Sequence, residues 1–573
     1  MEKMNFCSVF LVVVVLLITM MSSAASGDES PRYFGINHYY NPWGRSDDSV
    51  YFKDNSKRIH GFKHTGIPAE SGGGDSFAGV AWLDFNNDGW LDFYIANGLG
   101  SKDGLMMNNT DGTFRNVIDA SGIGGENGSA GVVTADLDND GLTDIIAVGE
   151  TGLMSSPSLT NIRVLKNLGE GKFVDVTSTS GLVSSPRNEP GTAIHATLGD
   201  IDNDGLLDLF IVAPGSLAHR TQPPNSLWRN NGDFTFTDIS AASGVAIATG
   251  SCVATFSHYD DDAWIDLYVA DCNEINLAPT DLHVFKNNGD LTFDDLTVKL
   301  GLDTSKTIEP SATGRGYWMC IGLGDFDNDT DFDLFSTNFG LQLIPNQEMG
   351  FFEKNTDGTF TSVENEVGIG GTAKNFGWGC SFADFNNDGF EDLIFAGNLP
   401  AFGLIDELGS PGYLFVNNGD KRFSSKQLPV DLSSRYVTGL ATADYNNDGF
   451  TDVIMATGAW EGEVSSRPIL LTNRHYQNKN RSLTIKLEGV ESNRSAIGAI
   501  VKVYLPGRIL TKEVRAGSSF LSQDSPWLTF GVSRAKKISK IVVRWPQGNE
   551  EEYKNIRIKR SPIKIREGKG IVR

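Results

Sequence analysis

Seven stretches of this chain set acids and amides at alternate positions. The first, DFNNDGWLD, places Asp84, Asn86 and Asp88 two residues apart, then Gly89, then Asp92. A hard dication takes six to eight oxygens at about 2.3–2.6 Å. A tight loop supplies them when alternate side chains turn inward, one backbone carbonyl fills a site and glycine permits the bend. On that chemistry the first loop offers the side chains of Asp84, Asn86, Asp88 and Asp92 and the carbonyl of Trp90, and the expected ion is calcium. The same register recurs in five further loops. It offers Asp136, Asp138, Asp140 and Asp144 with the Leu142 carbonyl, and Asp200, Asp202, Asp204 and Asp208 with that of Leu206. It then offers Asp325, Asp327, Asp329 and Asp333 with Asp331, Asp384, Asn386, Asp388 and Asp392 with Phe390, and Asp444, Asn446, Asp448 and Asp452 with Phe450. A decayed copy, HYDDDAWID, has His258 in first place and Ala263 for the glycine. It keeps only Asp260, Asp262 and Asp266, so weak or absent binding is expected there. The fifth loop has Thr330 for glycine but retains its acids.

Two other readings compete. An Asn-Asp-Gly turn needs no metal, but four oxygen donors held in register through six of seven copies exceed what a turn requires. An EF-hand needs a bidentate acid at loop position 12 and flanking helices. Here Ile95 and Ala147 stand at that position in the first two copies, and the flanks read as strands.

The loops begin at 84, 136, 200, 258, 325, 384 and 444, so a unit of about sixty residues repeats. Each loop lies between short apolar runs, such as VAWL and FYIAN. A turn signal and a second strand pair follow in every unit except the last, as in WRNNGDFTFTDI. Four short strands per unit is the make-up of a propeller blade. The last unit ends after its third strand, and HGFKHTGI at 60–67 is expected to complete it, sealing the ring and hiding its edges. An open solenoid would instead want polar capping repeats. The expected fold is all-β: a seven-bladed β-propeller with calcium-binding hairpin loops, followed by a C-terminal β-sandwich-like domain.

The formal charge of −24 argues against a nucleic-acid partner, and it is unevenly spread. From Asn473 onward there are 22 Lys plus Arg against 8 Asp plus Glu, net +14, leaving 26 bases and 64 acids before it, net −38. The expected organisation is a signal peptide over 1–25, an N-terminal extension over 26–58, the propeller over 59–473 and the β domain over 474–573. The apolar run from Phe6 to Met21, with small residues around Ala24, reads as a cleaved secretory signal; a membrane anchor is the alternative, and the run is short for one. A secreted, extracellular chain without a membrane span after cleavage is expected.

The loops and their period resemble the FG-GAP (or VCBS-type) repeats of integrin α-subunit propellers over about 60–473. SNRSAIGAIVKVYLPG, KEVRAGSSFLSQ and LTFGVSRAKKISKIVVRWPQG resemble the ASPIC and UnbV module, which follows such repeats in that family. The resemblance implies a calcium-loaded extracellular or matrix glycoprotein that acts as a binding or adhesion module for a protein or glycan ligand.

Smaller features fit a secreted chain. Sequons mark Asn108, Asn127, Asn480 and Asn493 as glycan candidates, whereas the sequon at Asn328 falls inside the fifth loop. Cys252 and Cys272 flank the decayed loop symmetrically, so a hairpin would bring them to disulfide range; Cys320 and Cys380 stay open between a bridge and buried thiols. The C-terminal bases, among them Lys536, Lys537, Lys540, Lys559 and Arg560, suit sulfated sugars, an acidic surface or the propeller's own acids. No H-E-x-x-H, G-x-S-x-G or phosphate loop occurs. A polysaccharide lyase or hydrolase working in the central channel is the alternative function.

Overall fold

The computed structural model describes residues 50–64, 77–98, 101–125, 128–149, 162–182, 193–214, 223–272, 280–304, 317–338, 349–370, 377–397, 412–430, 432, 436–458, 467–474 and 479–572. The signal segment 1–25, most of the extension and Asn127 lie outside the described residues.

The apolar runs on either side of each loop form a hairpin. In the first unit Val80–Leu83 pairs antiparallel with Asp92–Ile95, and every residue of both strands is buried. Strands covered on both faces show unbroken apolar runs instead of alternation. Gly104–Asn108 and Phe114–Asn116 add the third and fourth strands. The outermost shows Phe114 inward and Arg115 outward, as a half-covered edge should. Six more sheets repeat this order, with inner strands Ser129–Ala135, His195–Gly199, Ser251–Ser257, Gly322–Gly324, Gly379–Ala383 and Tyr436–Ala443. The fold is all-β and propeller-like.

Hydrogen bonds link neighbouring sheets back to the start. Gly79 N donates to Ala130 O, Trp318 N to Asp271 O and Ala78 N to Thr438 Oγ1 (2.9 Å), the last joining the seventh sheet to the first. The apolar clusters lie between adjacent sheets. Trp82 and Phe93 of the first pack with Tyr445 and Ile454 of the seventh, Trp82 stacking on Tyr445 with centroids 6.2 Å apart. Most seams are therefore small cores of their own.

The strand that completes the seventh sheet is not the one expected. Phe52–Asp54 pairs antiparallel with Ile469–Asn473, whereas Ile59–His60 runs parallel to Phe114–Asn116 as a fifth strand of the first sheet. The ring thus takes in residues that a boundary at 59 leaves outside. Phe52 explains the choice: it is buried and meets Phe385 edge-on at 5.5 Å, a contact too short in sequence to show as a periodic pattern.

The C-terminal segment forms two four-stranded sheets. Ser482–Glu488, Leu528–Gly531, Ile563–Arg566 and Gly570–Val572 make one; Ile500–Leu505, Arg508–Glu513, Lys537–Arg544 and Glu550–Arg557 make the other. Leu483, Ile485 and Phe530 of the first share one core with Val501, Ile541 and Val543 of the second. That core continues into Leu198 and Leu209 of the ring, so the two parts are packed together.

Between these sheets, residues 513–524 enter the ring and touch all seven inner strands. Gln523 forms a parallel bridge to Ala81, and its side chain bonds Thr134. Val132 N donates to Leu521 O, Thr197 Oγ1 to Ala516 O and Ser257 Oγ to Glu513. Arg515 donates to Leu323 O (2.8 Å), Cys380 N to Ser519 Oγ (3.2 Å) and Thr442 N to Asp524 Oδ1 (2.6 Å). Gly79 has no side chain where Leu521 O approaches; a Cβ there would lie 1.8 Å from that oxygen.

Candidate metal centres and the domain that covers them

Each loop is shaped by its first acid. Asp84 Oδ1 accepts the N–H of Asp88 (3.0 Å) and Oδ2 that of Gly89 (3.2 Å), while Asp88 Oδ1 accepts Trp90 N. Loops two, three, six and seven repeat this pattern. The last acid opens the second strand and bridges two backbones. Asp144 Oδ1 accepts Asn167 N (2.8 Å) and Oδ2 accepts Leu137 N (2.9 Å). Carboxylate oxygens of Asp136, Asp138 and Asp144 come within 4.8 Å of one another, as do those of Asp200, Asp202 and Asp208 and those of Asp325, Asp327 and Asp329. Loops one, six and seven carry Asn86, Asn386 and Asn446 at the third position, so fewer acids converge there.

These residues fit a dication on the chemistry of the donor set. Asp202 Oδ1 is buried with no hydrogen-bond partner. Burial first, and then neighbouring carboxylates, push Asp200 up to about 7 and Asp92 and Asp144 up to about 8; Asp208, Asp333, Asp384, Asp392 and Asp452 are pushed well above the ordinary carboxylate range. Acids so placed cannot all ionise at neutral pH without a compensating cation.

The fourth and fifth loops differ. In the fourth, the Lys286 ammonium sits between Asp260 and Asp262, 2.6 Å from the latter, with Asp266 behind. A base pairs with the same two acid positions in the second and third loops, so what sets the fourth apart is His258 in place of the first acid. Lys166 bonds Asp138 and Asp140 in the second loop, and Arg229 reaches Asp202 (2.6 Å) and Asp204 (2.7 Å) in the third. In the fifth loop Thr330 adopts φ +86°, a strained conformation for a β-branched residue, and Lys421 pairs with Asp327 at 2.5 Å.

Sequence reasoning missed the asparagines that tie the sheets together. One ends the third strand of six sheets. Asn167 Nδ2 donates to Thr143 O of its own hairpin and to Phe85 O of the previous one. Asn108, Asn230, Asn287, Asn417 and Asn473 do the same, and in the fifth sheet Lys354 reaches Tyr259 O instead. A second set sits inside the loops at positive φ. Asn87, Asn139, Asn203, Asn328, Asn387 and Asn447 each donate to a backbone carbonyl of the next loop, Asn447 to Gly89 O closing the circle. Asp261 stands in this place in the fourth loop. The repeated Asn-Asn pair was visible as a turn signal; its bonds to the next sheet were not.

The latches bear on the sequons. Asn108 and Asn493 are fully buried, and their amide nitrogens donate to Leu91 O and Tyr445 O and to Ile497 O. A glycan needs that nitrogen, so these two positions are corrected from acceptors to structural amides. Asn480 Nδ2 donates to Asn386 O (3.1 Å), and it is only partly exposed.

The basic C-terminal domain lies over the acidic loops. Lys486 Nζ is 3.2 Å from Asp84 Oδ2, Lys512 pairs with Glu391, and Arg494 N donates to Asn139 Oδ1 (2.8 Å). Gln547 bonds Asn203 O, Arg544 bonds Asp262 O, Arg515 stacks on Phe332 at 4.5 Å and Ser533 Oγ donates to Asp388 O (2.7 Å). Some of the domain's bases thus serve the ring's own acids, one of the partners expected for them. Disulfides join Cys252 to Cys272 across the fourth hairpin (Cα–Cα 5.6 Å) and Cys320 to Cys380 between the fifth and sixth sheets (6.1 Å).

Two parts of the chain match family models: residues 84–147 match the FG-GAP-like repeat and residues 489–572 match ASPIC and UnbV. The chain is homologous to cartilage acidic protein 1. It is 24% identical over 361 residues to the Xenopus tropicalis protein (60% of this chain, 51% of that one) and 24% identical over 492 residues to the Mus musculus protein (73% and 70%). The chain thus spans about half the length of the frog relative. Among solved structures, an Agrocybe aegerita lectin has a TM-score of 0.36 at 18% identity, covering 66% of this chain and 85% of that one. No helix among the described residues is long and apolar enough to cross a membrane.

Proposed function

We propose that this chain is a secreted, calcium-binding extracellular protein that acts as a binding or adhesion module toward a protein or glycan ligand. The observation that supports the calcium part is the convergence of carboxylate oxygens within 4.8 Å in the second, third and fifth loops, together with the buried last acids of the sixth and seventh. Calcium would be held by the side chains of Asp84, Asn86, Asp88 and Asp92 and their counterparts, with the carbonyl of the seventh loop residue. Bound there, it supplies charge neutralisation, which stabilises the hairpins and the seat of the C-terminal domain. The fourth loop, with His258 in place of the first acid, is expected to bind weakly or not at all.

The channel-enzyme reading stands second, because residues 513–524 enter the centre of the ring and bond to every inner strand. The relatives named cartilage acidic protein 1 support a non-enzymatic reading. Calorimetric titration of calcium into demetallated protein tests the proposal. Several sites of millimolar or better affinity are expected, and a flat titration overturns it.

A further inference from the structure

A cleft of about 580 Å³ opens where the ring closes, between the first sheet, the seventh sheet and the C-terminal domain. Its size lies within the range of small-ligand sites. Three guanidinium groups line it, and they come from distant parts of the chain: Arg58 from the segment that closes the ring, Arg474 from the end of the last ring strand and Arg560 from the C-terminal domain. Trp90 and Phe450, from the first and seventh loops, supply aromatic faces, and Asp111 an exposed acceptor. We propose that this cleft binds an anionic oligosaccharide, one whose rings carry carboxylate or sulfate groups.

The argument is one of matching chemistry. Guanidinium forks bind carboxylate and sulfate oxygens in pairs. Aromatic side chains offer flat apolar faces with little conformational entropy to lose, which suits the C–H face of a sugar ring. Asp111 and Thr110 add an acceptor and a donor that sugar hydroxyls can use together. An acidic peptide would meet the carboxylates of Asp111 and Asp448 as repulsion, whereas a sugar bearing spaced charges can set hydroxyls against them. Arg58 is braced for the role, as its guanidinium donates to Asp111 O and Gly112 O at 3.4 Å. Arg560 is exposed and Arg474 half-buried, and the charges of both act on the Asp448 carboxylate beside them. The site is incomplete until the ring is closed and the C-terminal domain is docked, which ties ligand binding to the assembled protein. This inference rests on the proposed binding role and names its ligand class; the cleft borders the seventh loop, whose Asn446 and Asp448 are candidate calcium ligands.

The test is calorimetry on the full chain in millimolar calcium with four probes: a heparin-derived hexasaccharide, a hexagalacturonate, maltohexaose and hexaglutamate. The expected result is binding of the sulfated sugar, the uronate or both, and none of the neutral sugar. Which acidic sugar binds identifies the charged group. Arg474→Ala and Arg560→Ala should each raise Kd about tenfold or more, the loss of one charge-assisted contact. Lys540→Ala, whose ammonium is taken by Glu552, should leave it unchanged. The proposal is overturned if neither acidic sugar binds, if the arginine variants bind as well as the parent, or if hexaglutamate binds as tightly as the sugars. Melting curves with and without calcium, on the same samples, separate failure of this site from failure of the metal assignment.

Discussion

Asn417 does in one side chain what each sheet must do to stay in the ring. Its amide nitrogen donates to Glu391 O of its own hairpin and to Phe326 O of the sheet before, at 2.7 Å for the latter. Asn417→Ala leaves two buried carbonyls without a donor. Its expected cost is about 2–4 kcal/mol from the unmet groups, equal in calcium and in EDTA by denaturant titration. Asp140→Ala is expected to behave differently. Its carboxylate is a candidate ligand, so the loss should be larger in calcium by about 1 kcal/mol, the linkage of one weak site at millimolar ion. Equal losses in both conditions would remove Asp140 from the ligand set. The loop acids were legible because alternate spacing leaves a trace in the sequence. The counter-cations Lys166, Arg229 and Lys286 were not, since each sits 24 to 28 residues from the acids it meets and only the hairpin brings it there.

At the scale of elements, the hairpins were readable and the central segment was not. Inner strands announce themselves as short apolar runs beside a repeated loop, whereas RAGSSFLSQDSPW has the composition of a surface turn. It becomes part of the core because seven inner strands offer their unused donors and acceptors to it. The closing strand was missed for a related reason: three residues carry no period, and only Phe52 marks them. Gly79→Ala tests the central segment. The added Cβ falls on Leu521 O, so the variant should lose the seat of 513–524 and become sensitive to limited proteolysis near that segment, while the parent stays resistant. The fourth sheet, which lacks the usual loop, uses other ties. Burial works against the charged form of His283, but bonds to Asp271 and Asp295 outweigh it and raise its pKa to about 10. A folded pKa above the unfolded value contributes stability that is complete below about 6.5 and is lost as pH rises through about 10. The stability gap between the parent and His283→Gln should therefore be full at pH 6 and shrink by pH 10; a gap that widened over that range would contradict the assignment.

At the scale of the whole molecule, charge organises the assembly. The chain before Asn473 is net acidic and the C-terminal part net basic, and the structure lays one over the other through Lys486 and Lys512. The division was visible as a change in composition. Its geometry was not, because nothing in a local window says which face of a ring a second domain covers. Bases at the periphery, Arg560 among them, are exposed. The account rests on dications relieving the repulsion of carboxylates packed into the hairpin corners. The most direct test is the melting curve of the full chain after EDTA treatment and again with about 1 mM calcium restored. Six loops at roughly 1 kcal/mol each predict a rise of about 5–10 °C, reversible on renewed chelation. Superimposable curves would contradict the account.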